Sequence, residues 1–304
     1  MKIDNFALTM YQTCPEKFRL RMIEGWTPSR RSGALGFGGA FHEGLAAWYR
    51  TGNIGQALLA IDKSWPDNMP VDDFRTKAKC AQVMIDYAKK YPHETFKTVQ
   101  GPSGPFIEVP FTLDTGMELP AELSWLTEKA AGVPYPAGNE PIEYGGIFDG
   151  LVNFGSAIYV LEHKTTSMLG AMYFNQFKPN NQVTGYVWAA GQMSGKPVGG
   201  AIINAIGVYK VGATKFERHI TARFPEEIAE WMQNVYNVCI QIKRAQYDAL
   251  YTKSTNACTM YGMCEFHSVC SLARVAERRK RLEMDYVQEP WDYELRGGTE
   301  VPSV

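Results

Sequence analysis

Between Gly145 and Thr166 the chain reads GGIFDGLVNFGSAIYVLEHKTT, two carboxylates and a lysine at a spacing that can do chemistry. Val152 to Phe154 and Ile158 to Leu161 are rich in strand formers. Gly155-Ser156 between them suits a two-residue turn with glycine first, the type II′ pattern. With Phe154 and Ala157 flanking that turn, Asp149 falls directly opposite Glu162 on one face of a β-hairpin. A strand's period of two then turns Lys164 to the same face. Two opposed anions in a sheet repel, so the arrangement calls for a cation. Carboxylate oxygens are hard ligands suited to Mg²⁺ or Mn²⁺, which keep waters and take further ligands from a phosphate. A neighbouring ammonium can orient or activate an attacking water, or stabilise charge developing on phosphate oxygens. That is the chemistry of phosphodiester hydrolysis. The competing reading is an ordinary surface hairpin of common charged residues, and a one-residue bulge would undo the register.

The elements around this hairpin have to position it. Asp4 caps a short helix, Cys14-Pro15 turns the chain, and a second helix carries Lys17, Arg19 and Arg21. Ser29-Arg30-Arg31 and the glycines of GALGFGGAFHEG form a flexible basic approach to a helix from about Ala40 to Arg50. His42 then sits in that helix's first turn, either as a surface histidine or as an additional metal ligand, since neutral imidazole coordinates Mn²⁺-type ions tolerably. Ile54 to Tyr91 is mostly helical. Phe106 to Leu113 is a strand carrying Glu108, an exposed strand acid or a residue supporting the site. Asp114 to Tyr144 reads as an irregular excursion with a short helix near Leu123 to Ala131. A helix in the later part of Met168 to Gln192 puts Gln182 and Tyr186 four apart on one face, within reach of the carboxylates or of a bound strand. Gly200 to Lys210 and Lys215 to Thr221 form an antiparallel strand pair, and Pro225 to Tyr247 an amphipathic helix with its proline in the first turn.

Composition bounds the rest. With 304 residues and 45% hydrophobic content the chain can bury a full core, and its net charge of −1 gives no global basic field. A nucleic-acid site would have to be a local groove. No apolar run reaches the roughly 18 residues of a membrane span, and Met1-Lys2-Ile3-Asp4 leads into no signal-peptide pattern, so a cytoplasmic protein without membrane partners is expected. Cys258, Cys264 and Cys270 recur within CTMYGMCEFHSVC, a strong metal signal for zinc or an iron–sulfur cluster. Either needs a fourth ligand, and both His267 and the distant Cys14 are candidates. Cys14 would let the metal tie the two ends of the chain together as a folding staple.

Taken in order, Tyr11-Gln12-Thr13-Cys14-Pro15, Gly39-Ala40-Phe41-His42, Asp149, Glu162-His163-Lys164-Thr165, Gln182 to Tyr186 and the terminal cysteine trio resemble the RecB-type exonuclease branch of the PD-(D/E)XK nuclease superfamily. That branch includes the CRISPR adaptation exonucleases and the AddB-type iron–sulfur nucleases. The resemblance covers roughly residues 3 to 272. Phe148 stands where the superfamily name has a proline, which RecB-type members commonly lack. The resemblance implies an α/β fold, a restriction-endonuclease-like mixed sheet flanked by helices. It implies a single nuclease domain over 1–304 with a helical insertion at 43–100, an iron–sulfur subdomain from 1–25 plus 250–272, and a C-terminal tail at 273–304. It implies that His42, Asp149, Glu162 and the His163 carbonyl bind Mg²⁺ or Mn²⁺ and that Lys164 is catalytic. Gln182 and Tyr186 would contact DNA or support the site. Cys14, Cys258, Cys264 and Cys270 would hold a [4Fe-4S] cluster, with His267 a bystander. The implied activity is exonucleolytic cleavage of single-stranded DNA or DNA ends in repair, recombination or phage DNA processing. The alternative from another class is a zinc- or iron–sulfur-stapled nucleic-acid-binding protein without catalysis. The basic tail from Arg274 to Arg281 reads first as a solvated helix face.

Overall fold

Helices and strands alternate along the chain. β1 (Lys2–Asp4), α1 (Asn5–Thr13), α2 (Pro15–Phe18) and β2 (Trp26–Pro28) precede α3 (Gly33–Thr51), α4 (Ile54–Ser64) and α5 (Lys77–Lys90). Then come β3 (Lys97–Thr98), β4 (Gln100–Gly101), β5 (Gly104–Pro105), β6 (Ile107–Leu119), β7 (Glu140–Phe154) and β8 (Ala157–Thr166). α6 (Asn181–Ser194), β9 (Val198–Gly207), β10 (Lys215–Thr221), α7 (Pro225–Asp248), α8 (His267–Cys270), α9 (Val275–Asp285) and β11 (Tyr286–Gln288) complete the order. This computed structural model describes residues 1–29, 32–67, 69–70, 74–102, 104–120, 139–260 and 262–292. Arg30, Arg31 and the short helix expected near Leu123 to Ala131 lie outside the described residues. The described residues divide into two units: those within Met1–Pro28, Phe111–Gly146 and Glu226–Tyr293 form one, and those within Ser29–Pro110 and Ile147–Pro225 the other.

The second unit holds a mixed sheet flanked by helices. Its hairpin has the expected register: β7 and β8 pair antiparallel from Phe154↔Ala157 to Gly150↔Leu161. Gly155 sits at φ 61° and opens the turn, a conformation that costs glycine nothing. β8 pairs parallel with β9, so the chain must cross over between them, and α6 is that crossover. β10 closes the order antiparallel to β9, and β3 pairs with the end of β7.

α3, α4 and α5 bury Phe37, Phe41, Leu45, Ile61, Val83, Met84 and Tyr87 together with Ile206 and Val208. α3 begins at Gly33, well before the expected start at Ala40, so His42 lies in mid-helix and not in a first turn. The glycine run that reads as a loop is tolerated because Gly36, Phe37, Ala40 and Phe41 are buried by packing, which outweighs helix propensity. Gly44 shows what glycine allows there, since a Cβ would lie 2.7 Å from Ile61 of α4.

In the first unit β1 runs parallel to the start of β7, Lys2↔Glu143 to Asp4↔Gly145. The Asp4 carboxylate accepts from the Ala7 amide at 2.7 Å, the expected cap of α1. Pro15 then opens α2 in the position where a missing N–H costs nothing. α7 follows its amphipathic pattern, burying Trp231, Val235, Val238, Cys239 and Ile242. α9 is the charged tail helix, with exposed pairs Arg279–Glu283 and Arg281–Asp285. β11 after it pairs with β2, a strand pair the local sequence did not announce. Among the described residues no helix is long and apolar enough to cross a membrane.

Candidate functional site

In the second unit, Asp149 stands one residue beyond the last hairpin pair, Gly150↔Leu161. The Asp149 carboxylate is held from two sides. His42 Nδ1 of α3 lies 3.2 Å from Oδ1, and the main-chain N–H of His163 donates to Oδ2 at 2.6 Å. Glu108 joins them: ligand atoms of His42, Glu108 and Asp149 all lie within 4.8 Å of one another. This is the one group of three or more potential ligands among the described residues. Glu108 sits at φ 52°, where a residue with a Cβ is strained, a cost that persists only where the surroundings impose it.

Glu162 and Lys164 alternate with His163 along β8, and the carboxylate and ammonium meet α6. Lys164 Nζ is 2.5 Å from Glu162 Oε1. Gln182 bridges them, its Nε2 donating to Glu162 Oε1 at 2.9 Å and its Oε1 accepting from Lys164 at 3.1 Å. Tyr186, one turn on, is buried against Phe148, with ring centroids 5.5 Å apart. Gln182 is also a hydrogen-bond partner of the Tyr186 side chain. Glu162 is almost wholly buried and its Oε2 has no hydrogen-bond partner among the described residues. A buried, partnerless carboxylate oxygen beside a cluster of three ligands is what a divalent cation would satisfy, so the donor set fits one.

Electrostatics follow from the crowding. Burial would lower the His42 pKa, but Asp149 beside it outweighs this and raises it to about 9. For Asp149, burial works upward and His42 overrides it, holding the carboxyl well below its ordinary range. Burial and then the Asp149 charge push Glu108 up to about 8. Glu162 rises to about 7, with burial and Asp149 raising it against Lys164. Lys164 is raised, since Glu162 and Asp149 outweigh the effect of burial. His163 drops to about 3, chiefly through desolvation.

Of the expected ligands, His42 and Asp149 meet in the three-ligand group, while Glu162 stands outside it with Lys164, Gln182 and Tyr186, joined to it through the intervening His163. The structure also draws in Glu108 more closely than an exposed strand acid. What no local pattern revealed lies behind His163: its ring stacks on Tyr49 at 5.5 Å and 10°, and its Nδ1 is 2.8 Å from Asn204 Nδ2. A lone polar residue inside the apolar run of β9 was the available signal.

The cysteines lie in the first unit, where Cys14, Cys258, Cys264 and Cys270 line one cavity of about 140 Å³ together with His267, Lys17 and Lys253. Cys14 sits between α1 and α2, and its Sγ accepts from the Ser254 amide at 3.5 Å. The Glu16 amide donates to the Thr252 carbonyl, so the two distant segments meet through the main chain as well. Cys264 and Cys270 pack on Leu20, Phe266, Val269, Leu282 and Tyr286. Among the described residues no three of these thiols come within 4.8 Å of one another.

No curated protein matches the sequence significantly. Among solved structures, the chain is similar to one described as the crystal structure of SSO0001, at 11% identity and a TM-score of 0.28, covering 78% of this chain and 85% of that one. The family model of the PD-(D/E)XK nuclease superfamily matches residues 6–271, which takes in His42, Glu108, the hairpin, α6 and the four cavity-lining cysteines, and the chain belongs to that superfamily.

Proposed function

We propose that the protein is a Mg²⁺- or Mn²⁺-dependent deoxyribonuclease of the RecB-type branch, acting as an exonuclease on single-stranded DNA or DNA ends in repair, recombination or phage DNA processing. The observation that carries this reading is the half-buried set His42, Glu108 and Asp149, with Glu162 nearby, whose Oε2 lacks a partner among the described residues. His42, Glu108, Asp149, Glu162 and the His163 carbonyl would hold the ion. When bound, it supplies Lewis-acid polarisation of the phosphate and a lowered pKa for the attacking water.

The chain's own residues do the rest. His42 and the His163 N–H fix the Asp149 carboxylate in one orientation. Gln182 holds Lys164 against Glu162, so the ammonium is aimed and remains protonated. Its side chain is 32% accessible against 2% for Glu162, so it can meet a phosphate entering from solvent. There it offsets charge gathering on the non-bridging oxygens or orients the attacking water. The test is cleavage of end-labelled single- and double-stranded DNA with Mn²⁺ or Mg²⁺. Shortening from labelled ends supports an exonuclease, and DNA bound but left intact contradicts catalysis.

We propose further that Cys14, Cys258, Cys264 and Cys270 hold a [4Fe-4S] cluster. Four thiols from two distant segments lining one cavity support the cluster reading, since four cysteine thiolates are the usual ligands of a [4Fe-4S] cluster. Anaerobically purified protein should be brown, with iron and sulfide near four per chain, about the content of one such cluster. Stoichiometric zinc in a colourless protein contradicts this.

A further inference from the structure

Asn204 is fully buried in β9, between Ile203 and Ala205, and a buried amide is costly unless its hydrogen-bonding groups are met. They are met, and the partners lie in a row across the sheet: His163 of β8 and Arg218 of β10 are its register neighbours on either side. Arg218 Nε donates to Asn204 Oδ1 at 3.0 Å. A guanidinium can only donate, so this bond fixes which end of the amide faces which neighbour. Nδ2 therefore faces His163 Nδ1 at 2.8 Å and Tyr87 Oη at 2.9 Å. The His163 Nδ1 must then be the acceptor, which leaves its ring proton on Nε2.

The row is anchored behind. Arg218 forks onto Glu94, Nη1 to Oε2 at 2.5 Å and Nη2 to Oε1 at 2.8 Å. It also donates to Tyr87 Oη at 2.8 Å. Tyr49 donates to Glu94 at 2.9 Å and lays its ring on the imidazole of His163. The imidazole is thus held by a hydrogen bond at its edge and an aromatic face. The main chain of this same residue gives its N–H to Asp149 and stands between Glu162 and Lys164.

We propose that Asn204, backed by Arg218 and Glu94, is a positioning residue for the metal centre: by fixing the His163 ring it sets the main chain that braces Asp149 and offers a carbonyl to the ion. The proposal rests on the metal-dependent reading of the site. A purely structural network would contribute to stability and leave metal affinity alone. A partner that orients a ligand changes affinity or activity by about 10–100-fold when removed.

The experiment is calorimetric titration of Mn²⁺ into the full-length protein, its Asn204→Leu, His163→Leu and double variants, beside DNA binding, thermal melting and cleavage across Mn²⁺ concentration. Asn204→Leu should bind Mn²⁺ about 10–100-fold more weakly. It should bind DNA as before and regain cleavage at high Mn²⁺. Because Asn204 acts through His163, the double variant should bind no more weakly than His163→Leu alone. Ile206→Ala in the same strand should melt lower with Mn²⁺ affinity unchanged. Wild-type Mn²⁺ affinity in a folded Asn204→Leu overturns the proposal, even where the wild type cleaves DNA. Weakened Mn²⁺ binding in a family whose wild type binds Mn²⁺ but never cleaves DNA overturns the nuclease reading and upholds the positioning role. A wild type that binds no Mn²⁺ overturns both. Should Asn204→Leu fail to fold, Tyr49→Leu removes the stacked ring and carries the test, with unchanged Mn²⁺ affinity again overturning the proposal.

Discussion

Lys164 and Glu162 share one glutamine, and that geometry makes Gln182 testable by itself. Replacing it with leucine leaves the ammonium and carboxylate free to reorient. Cleavage should fall about 10–100-fold with the fold retained, the range for partners that orient a site. Undiminished cleavage would show that the bridge does not matter. Titration gives a second prediction. In the metal-free protein His42, Glu108 and Glu162 all stand above their ordinary values, at about 9, 8 and 7. The folded state therefore binds more protons than the unfolded one across this range, and stability must fall as pH rises. The His42 contribution is complete below its ordinary value of 6.5 and is lost as pH rises through about 9. Asp149, held low, contributes stability above its ordinary value of 3.8 and loses it only in acid below that. Protein melted in chelator should lose thermal stability steadily between roughly pH 6 and 9. Saturating Mn²⁺, which displaces those protons, should reduce or reverse the slope. A flat profile in chelator would contradict the assignment. At this scale Asp149, Glu162 and Lys164 were legible because a hairpin's register is local. Glu108 was read only as a supporting or exposed acid, and Asn204 not at all, because their placement depends on which strands become neighbours.

Elements were read well where pattern and packing agree. α1, α6, β10 and α7 lie close to where capping residues, alternation and amphipathic spacing place them. α3 is the exception: Gly33, Gly36, Gly38 and Gly39 lower helix propensity ahead of Ala40, and burial of Gly36, Phe37, Ala40 and Phe41 overrides it. Within the expected part, Gly44 permits α3 and α4 to approach. Gly44→Ala should therefore destabilise, by about 1–3 kcal/mol as overpacking does, despite alanine's better propensity. A variant that melts higher would show that Ile61 yields easily. β7 was also underread. It starts at Glu140, far before the part whose residues looked strand-like, because its early residues are paired by β1.

On the scale of the whole molecule, each unit is assembled from segments far apart in the chain, an organisation that no local signal encodes. The cysteines hinted at one such closure, and Cys14 does meet the 252–258 segment within its unit. Cys14→Ser should lower the iron content and expose the N-terminal segment to proteolysis, with anaerobic metal analysis and limited digestion as the checks. Full iron content in that variant would remove Cys14 from the ligand set.

The central claim is that this scaffold exists to place a lysine beside a metal-binding carboxylate cluster on a DNA phosphate. The measurement is degradation of end-labelled DNA by wild-type protein and Lys164→Ala, each with and without Mn²⁺, with Mn²⁺ affinity and melting recorded for both. Wild type should cut only with Mn²⁺, and Lys164→Ala should lose cleavage by about 10²-fold or more while keeping its fold and its metal. Equal cleavage by the two proteins, or cleavage that persists without a divalent ion, would contradict the account.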